Sequence, residues 1–444
     1  MYVPQDYQKT FCDNAFMSPD FLDPEHELFK IANLIDWDSL GNQSQQFYST
    51  SKGRDTLPMR LMIGLHLAKH LYGLSDRDCL LELKSNLYLQ YLCDVPASEV
   101  QEAFHPSLLS KFRSKIGEKG AVIVEKEIFS ILKKHKLLKG KTAVFDTTVV
   151  DSPIDYPTDI KLLERCRKAC LDFINQAKAF GINFQFRTYA RTARKVFLTY
   201  QHLRKHTKKG RRKVQKKLLQ FLRRNIEQLK KVISQLQCSL DEEAEALRIL
   251  AEKKLQTIQA IFEQQKKIYH GQSIQHRIVS LWATHIRPMV RGKFPVAVEF
   301  GPKILLELKG RFLFFSKLFF DNKSDSTMVE ETIKSYQARH GHIPTAVGYD
   351  RGFWSPENED YLKEQGVQHI GLQTRRKRKP DDFDSAAQRR LRRRRCAIEA
   401  KISLGKRRYW LRRLNYRIRD GETIWIRLSL ATMNLHQAVK FCLN

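Results

Sequence analysis

The feature that most restricts the fold is a leucine seam in the middle of the chain. Leu219, Leu222, Ile226, Leu229, Ile233, Leu236 and Leu240 follow one another at steps of three and four, the heptad spacing that places apolar side chains on one stripe of a helix. The surrounding stretch, from about 159 to 285, is rich in Lys, Gln, Leu and Arg, has no proline before Pro288 and almost no glycine besides Gly210. A looser apolar face continues through Leu247, Leu250, Leu255, Ile258, Ile261 and Ile268. Ser239 followed by Asp241, Glu242 and Glu243 offers a fresh helix start. An antiparallel hairpin therefore competes with one very long helix, and the hairpin is preferred. The stripe itself is packing, with no chemistry assigned to it.

The flanks have a different character. Residues 142–150 (TAVFDTTVV) are β-branched and apolar around a single carboxylate, a buried-strand pattern. Strand character returns at 296–300, 304–308 and 312–320, separated by Gly-Pro and Lys-Gly turns. An amphipathic stretch at 326–339 precedes a strand at 345–350, a short helix at 356–365 and a strand at 368–372. A long basic helix at 386–409 and a last apolar segment at 423–441 close the chain. Residues 1–140 read as helical: Leu61, Met62, Leu65, Ala68, Leu71 and Tyr72 recur at helical spacing behind Pro58. A short helix is expected from His105-Pro106-Ser107, with Leu108, Leu109, Phe112 and Ile116 on its apolar face. Lys111, Arg113 and Lys115 then point elsewhere, either onto DNA or simply into solvent.

Charge narrows the partners. Lys and Arg number 79 against 48 acids, a formal balance of +31. Such an excess repels itself unless a polyanion neutralises it, and nucleic acid is the commonest such partner. An anionic membrane surface is the rival, but no apolar run reaches the ~18 residues needed to span a bilayer; the run 311–320 (RFLFFSKLFF) is too short and carries Lys317. The N-terminus has no basic stretch leading into an apolar one, so no secretory signal is expected. The 8 cysteines form no C-x-x-C pair, against a zinc ribbon or disulfide framework. Cys166 and Cys170, one helical turn apart, read as packing residues in a reduced cytoplasm.

Three acids stand where sheet edges and helix faces place ligands. Asp146 sits inside an apolar strand and so must be paired, hydrogen-bonded or bound to a cation. Asp350 ends the strand TAVGYD before Arg351-Gly352-Phe353, the edge at which open α/β sheets bind ligands. Glu399 lies on the last basic helix, where Arg395, Glu399 and Lys406 fall within about 40° of one face. Converging carboxylates repel one another, and two divalent cations relieve that while promoting phosphoryl transfer. An ordinary Arg–Glu helix pair is the plain alternative for Glu399.

At this point the chain resembles a family, the DDE transposases of bacterial insertion sequences. The likeness lies in FDTTVVDSPIDYPTD (145–159), HIRPMVRGKFPVAVEFGPK (285–303), GYDRGFWSPENEDYLKEQGV (348–367) and CAIEAKISLGKRRYWLRRL (396–414), with PMRLMIGLHLAKHLYGLSDRDCLLELKSNLYLQYLCDV (58–95) similar to the helical N-terminal domain of one branch. The resemblance implies an α/β fold: an RNase H-like (retroviral integrase-like) catalytic domain interrupted by a large helical insert, plus an all-α N-terminal domain. The implied divisions are 1–140 for DNA-end binding or dimerisation, 141–160 with 286–444 for catalysis, and 161–285 for the insert. It implies that Asp146, Asp350 and Glu399 hold Mg²⁺ (Mn²⁺ can substitute) and catalyse strand cleavage and transfer. Arg395 and Lys406 match the Arg-x3-Glu-x6-Lys part of a related signature, whose opening Tyr is replaced here by Arg392. The run 389–395, which includes Arg392, is expected on DNA phosphates, as are Arg395 and Lys406; Lys111 and Arg113 are further DNA candidates. Trp354 could stack on an unpaired base or simply be core, and Asp159 is a candidate for supporting the metal ligands. The implied partners are double-stranded DNA, as terminal inverted repeats and target, and further copies of the chain in a homodimer or higher oligomer, with no membrane and a cytoplasmic, nucleoid-associated setting. An RNase H-like nuclease that does not join strands and a non-catalytic DNA-binding scaffold are the alternatives.

Overall fold

The computed structural model describes residues 21–49, 56–95, 105–182, 185–238, 241–290, 298–370 and 385–442. The described N-terminal helices are α1 (Glu27–Leu34), α2 (Trp37–Ser44), α3 (Met59–Tyr72), α4 (Asp76–Ser85), α5 (Leu87–Cys93) and α6 (Ser107–Lys134). Their starts are set by side chains that satisfy otherwise orphaned N–H groups: Asp36 accepts from Ser39, Asn86 from Leu89, and Ser75 with Asp78 forms a reciprocal capping box. α3 ends at Gly73 with φ 73°, where any Cβ would lie 2.0 Å from the Trp410 ring. The helix beginning at Ser107 is not short: it runs 28 residues and bends at Gly117, whose φ of 56° and ψ of −158° form a pair that only glycine adopts readily.

After β1 (Thr142–Val149) come four helices and a small ribbon: α7 (Asp159–Gln176), α8 (Ala190–Gln201), α9 (Lys208–Leu236), α10 (Glu242–Tyr269), β2 (Pro288–Val290) and β3 (Val298–Phe300). The chain then continues through β4 (Lys303–Lys309), β5 (Phe312–Phe319), α11 (Val329–His340), β6 (Ala346–Gly348), α12 (Pro356–Glu364), β7 (Gln368–Ile370), α13 (Ser385–Arg408) and α14 (Gly421–Cys442). These elements form two compact units, Met1–Pro153 with Pro302–Asn444, and Ile154–Gly301.

In the first unit the five strands lie in the order β5-β4-β1-β6-β7. β1 and β4 are antiparallel, as are β4 and β5, whereas β1, β6 and β7 run parallel. Strand side chains alternate between faces, and each face has its own core. Val144, Leu306 and Leu308 pack with helical residues such as Leu65, Ile398 and Ile426, so the N-terminal helices, α13 and α14 share one apolar core with the sheet. Ala143, Phe145 and Leu305 pack on the other side with Val329, Ile333, Tyr336, Tyr349 and Phe353.

The second unit is built on the seam. α9 and α10 pack against each other as the arms of a hairpin. Leu222 and Leu229 are fully buried, together with Ile258 and Ile261 from the opposite arm. Cys166 and Cys170 on α7 are fully buried free thiols in the same core. Leu250, expected on the apolar face, is instead 60% exposed, because it lies off the stripe that faces α9. Ser239 and Leu240 fall outside the described residues. β3 does not join the main sheet; it pairs with β2 in a two-stranded ribbon. Among the described residues, no helix is long and apolar enough to cross a membrane.

Candidate active site

Asp146 lies on β1, the central strand, and its side chain shares a sheet face with that of Val144. The parallel register pairs Val144 with Gly348, so two residues on, Asp350 stands level with Asp146 at the mouth of the neighbouring strand. Asp350 caps the 3₁₀ turn Arg351–Phe353 by accepting the Arg351 N–H at 2.7 Å. Its Oδ1 also accepts from Arg395 Nη1 of α13 at 2.9 Å. Further along α13, Lys406 Nζ donates to the Val149 carbonyl at the end of β1, at 2.8 Å. Glu399 lies between these two anchors and is exposed. Arg395 and Lys406 thus dock α13 beside Asp350 and the end of β1, with Glu399 on the stretch of helix between them.

The electrostatics reflect that convergence. The Asp146 carboxyl is pushed up to about 6, chiefly because burial disfavours its charge. The Thr147 N–H, 2.7 Å from Oδ1, works against this shift. Negative charge on Asp350, Asp325 and Glu399 reinforces it. Among the described residues, no three acidic, His or Cys side chains come close enough to hold a metal ion as the side chains stand; Arg395 engages Asp350, and Glu399 is exposed. The donor set nevertheless suits a hard divalent cation, being carboxylate oxygens around one acid that, among the described residues, has no ion-pair partner to offset its burial.

Asp325 carries no signal in the sequence. It opens the 3₁₀ turn Asp325–Met328 after β5, and its Oδ1 accepts from Thr147 Oγ1 at 2.9 Å and from Lys303 Nζ at 2.6 Å. Its Oδ2 would lie 3.2 Å from any Cβ added at Gly352. It thus ties together β1, β4 and the turn after Asp350. Its setting, DNKSDS, looks like any polar loop, and only the fold places it next to Thr147.

Several expected residues are placed differently. Arg113 is 4% exposed, forms a two-pronged ion pair with Asp76 at 2.6 and 3.0 Å, and lies over the Tyr416 ring. It is a structural ion pair inside the helical core and not a DNA contact; Lys111, two residues earlier, is exposed. Asp159 belongs to the second unit, in the first turn of α7, where it accepts from Gln265 and Arg277. Trp354 is half-buried against the Phe353 cluster, and its indole N–H is enclosed without a partner among the described residues, so packing accounts for the ring. The Arg392 backbone is helical, but its side chain lies outside the described residues, as does the basic run 375–379.

Comparison with known proteins adds a family. Residues 17–115 match the family described as transposase domain (DUF772), and residues 302–435 match the transposase DDE domain. The second match begins where the inserted unit ends and includes Asp350, Glu399 and Lys406; Asp146 lies outside both matches. A protein of Rhizobium meliloti named uncharacterized protein ORF8 in nfe locus is 28% identical over 193 residues, covering 41% of this chain and 89% of that protein. No solved structure matches. With an N-terminal transposase domain followed by a transposase DDE domain, the chain belongs to the DDE-type insertion-sequence transposases.

Proposed function

We propose that the protein cuts phosphodiester bonds at the ends of its insertion sequence and joins the freed 3′-OH to target DNA, with Asp146, Asp350 and Glu399 as the catalytic and metal-holding carboxylates. The observation that carries this reading is the register that sets Asp350 level with Asp146 on the central strand, with α13 held to Asp350 by Arg395 and to the end of β1 by Lys406. Burial and the negative charge of Asp350, Asp325 and Glu399, which push the Asp146 carboxyl up, agree with it. The strand order β5-β4-β1-β6-β7, three antiparallel strands and then two parallel ones, supports an RNase H-like catalytic fold divided by the helical insert. Along the chain, the helical N-terminal domain 1–140 acts in end binding or dimerisation, 141–160 with 286–444 in catalysis, and 161–285 is the insertion.

The three carboxylates would hold Mg²⁺, which when bound supplies Lewis-acid activation of the attacking oxygen and charge neutralisation at the phosphate. This chain's own residues fix the geometry. Thr147 and Lys303 hold Asp325, and the Asp350 turn rests on it. Lys406 pins α13 to the end of β1. Arg395 holds Asp350 and, with Lys406, can bear on the DNA backbone. In the first step water attacks phosphorus and the 3′ oxygen leaves; in the second that 3′ oxygen attacks a target phosphodiester and the target's own 3′ oxygen leaves. The products of these steps must be held together at paired ends, which calls for a homodimer or larger assembly.

The test uses purified full-length protein, DNA carrying the element's ends, and Mg²⁺. Asp146→Asn, Asp350→Asn and Glu399→Gln should each lose strand cleavage while still binding the ends. Retained Mg²⁺-dependent cleavage in Glu399→Gln removes that residue from the set. Pre-cleaved ends separate a transposase, which joins them to target DNA, from a nuclease, which does not.

A further inference from the structure

The inserted unit has a charge distribution that its packing does not explain. Between Asp172 and Glu227 the sequence has no acidic residue and 16 Lys and Arg, and all of these basic side chains are exposed. Among the described residues none of them has a carboxylate partner; ion pairs in this unit begin again at Lys230 with Glu227. α9 carries most of this charge. At 100° per residue, all but one of its basic residues fall within an arc of about 180°, centred roughly 120° from the Leu222, Ile226 and Leu229 stripe. α10, the other arm, is balanced: Glu242, Glu243, Glu245, Glu252 and Glu263 offset its five basic residues, and Arg248 is tied to both Glu245 and Glu252. A hairpin that needed only solubility would not segregate charge in this way.

We infer that the solvent face of α9 is a second DNA-binding surface, gripping the phosphate backbone of a duplex without reading its sequence. With 29 residues, α9 is about 43 Å long, more than one turn of B-DNA at ~34 Å, so its cations can follow phosphates along a groove edge. A membrane surface is the weaker fit. Interfacial helices need large apolar side chains beside their basic ones, and among the described residues α9 exposes none. The inference rests on the DNA-transposing reading but concerns a different unit and different residues from the carboxylate site.

The experiment compares full-length wild type with two triple variants, Lys209→Gln/Lys213→Gln/Lys216→Gln on α9 and Lys253→Gln/Lys266→Gln/Lys267→Gln on α10. All six lysines are exposed, and thermal unfolding checks that both variants fold. Affinity for a random-sequence DNA duplex is measured against salt concentration. Each lost phosphate contact should flatten the slope of log K against log salt by about 0.9, so the α9 variant should lose roughly 2 to 3 units of slope and the α10 variant less than about 1. Equal slopes for the α9 variant and wild type would overturn the inference, as would equal losses in both variants. So would lost binding to anionic phospholipid vesicles with duplex affinity unchanged. If wild type binds no duplex at all, the proposed function fails; if wild type binds and cleaves but the α9 slope is unaltered, only this inference fails.

Discussion

Asp146 and Glu307 are acids on adjacent strands, one register step apart, since Asp146 faces Leu306 and Phe145 faces Glu307. Their surroundings are opposite in sign. Glu307, on the other face of the sheet, is fully buried, but Arg339 and His340 reach both its oxygens. Burial alone would push its carboxyl up, and those two partners outweigh it and hold the carboxyl below its usual range. Asp146 is less deeply buried, yet burial raises its carboxyl to about 6, because the acids around it add to that effect where Glu307's partners oppose it. A fold that places a compensating cation beside one buried acid and three acids around its neighbour treats the two differently. Glu307 is balanced by the chain itself, whereas among the described residues Asp146 has no such cation beside it, and a divalent cation bound as proposed would supply one.

The largest expected effect on this contrast is catalytic. Asp146→Asn should reduce strand cleavage by at least about a thousandfold, the several kcal/mol expected when a metal-holding carboxylate is lost, with end binding within a few-fold of wild type. Cleavage within tenfold of wild type would remove the distinction between the two acids. Next in size, Glu307→Ala should destabilise the fold by about 2–4 kcal/mol in urea denaturation, because it leaves His340 without its acid and Arg339 with only the longer 3.7 Å pair to Glu125. A loss below about 1 kcal/mol would mean the pair contributes little.

The third effect has the opposite sign. In metal-free protein Asp146→Asn should stabilise by about 1–2 kcal/mol at pH 7, less than the ~3 kcal/mol of a full two-unit shift because the group is partly solvated. Since the folded value lies above the unfolded one, the neutral carboxyl favours the fold: wild type keeps that stability below about pH 4 and loses it as pH rises through 6. The gap between variant and wild type should therefore open between about pH 4 and 6, read as melting temperature against pH, and Mg²⁺ should raise the melting temperature of wild type alone. A gap independent of pH would place the repulsion elsewhere. The smallest effect belongs to Arg395→Ala, whose ion pair with Asp350 is 40% and 53% exposed on its two sides. It should cost less than about 1 kcal/mol of stability while weakening DNA binding, measured by salt-dependent titration.

Patterns with short periods are legible in the amino-acid sequence. The heptad seam, the alternating β1 and the apolar β5 each carry their signal within a few residues. Contacts across long sequence gaps are not. Arg113 reads as a surface cation until Asp76, 37 residues earlier, is folded against it. Asp325 lies 178 residues from Thr147, with nothing local to mark it. α6, expected to be short, does leave helical geometry at Gly117, just past the apolar face that ends at Ile116, yet the chain resumes the helix on the other side. At the carboxylates, helical periodicity places Arg395, Glu399 and Lys406 on one stripe, but only the fold supplies the Lys406 bond to Val149 that sets the height of that stripe.

The separation of β1 from its partner has a consequence for how the protein is made. β1 ends at Val149 and β4, which pairs with it, begins at Lys303. At synthesis rates of about 5–20 residues per second, the ribosome needs roughly 8 to 30 seconds to deliver β4 after β1 has emerged. For that interval an apolar strand has both edges open, one waiting for β4 and the other for β6, while the local contacts of the α9–α10 hairpin form far faster. The nascent chain is then a folded helical unit trailing a bare strand, the state most open to aggregation and to capture by a chaperone.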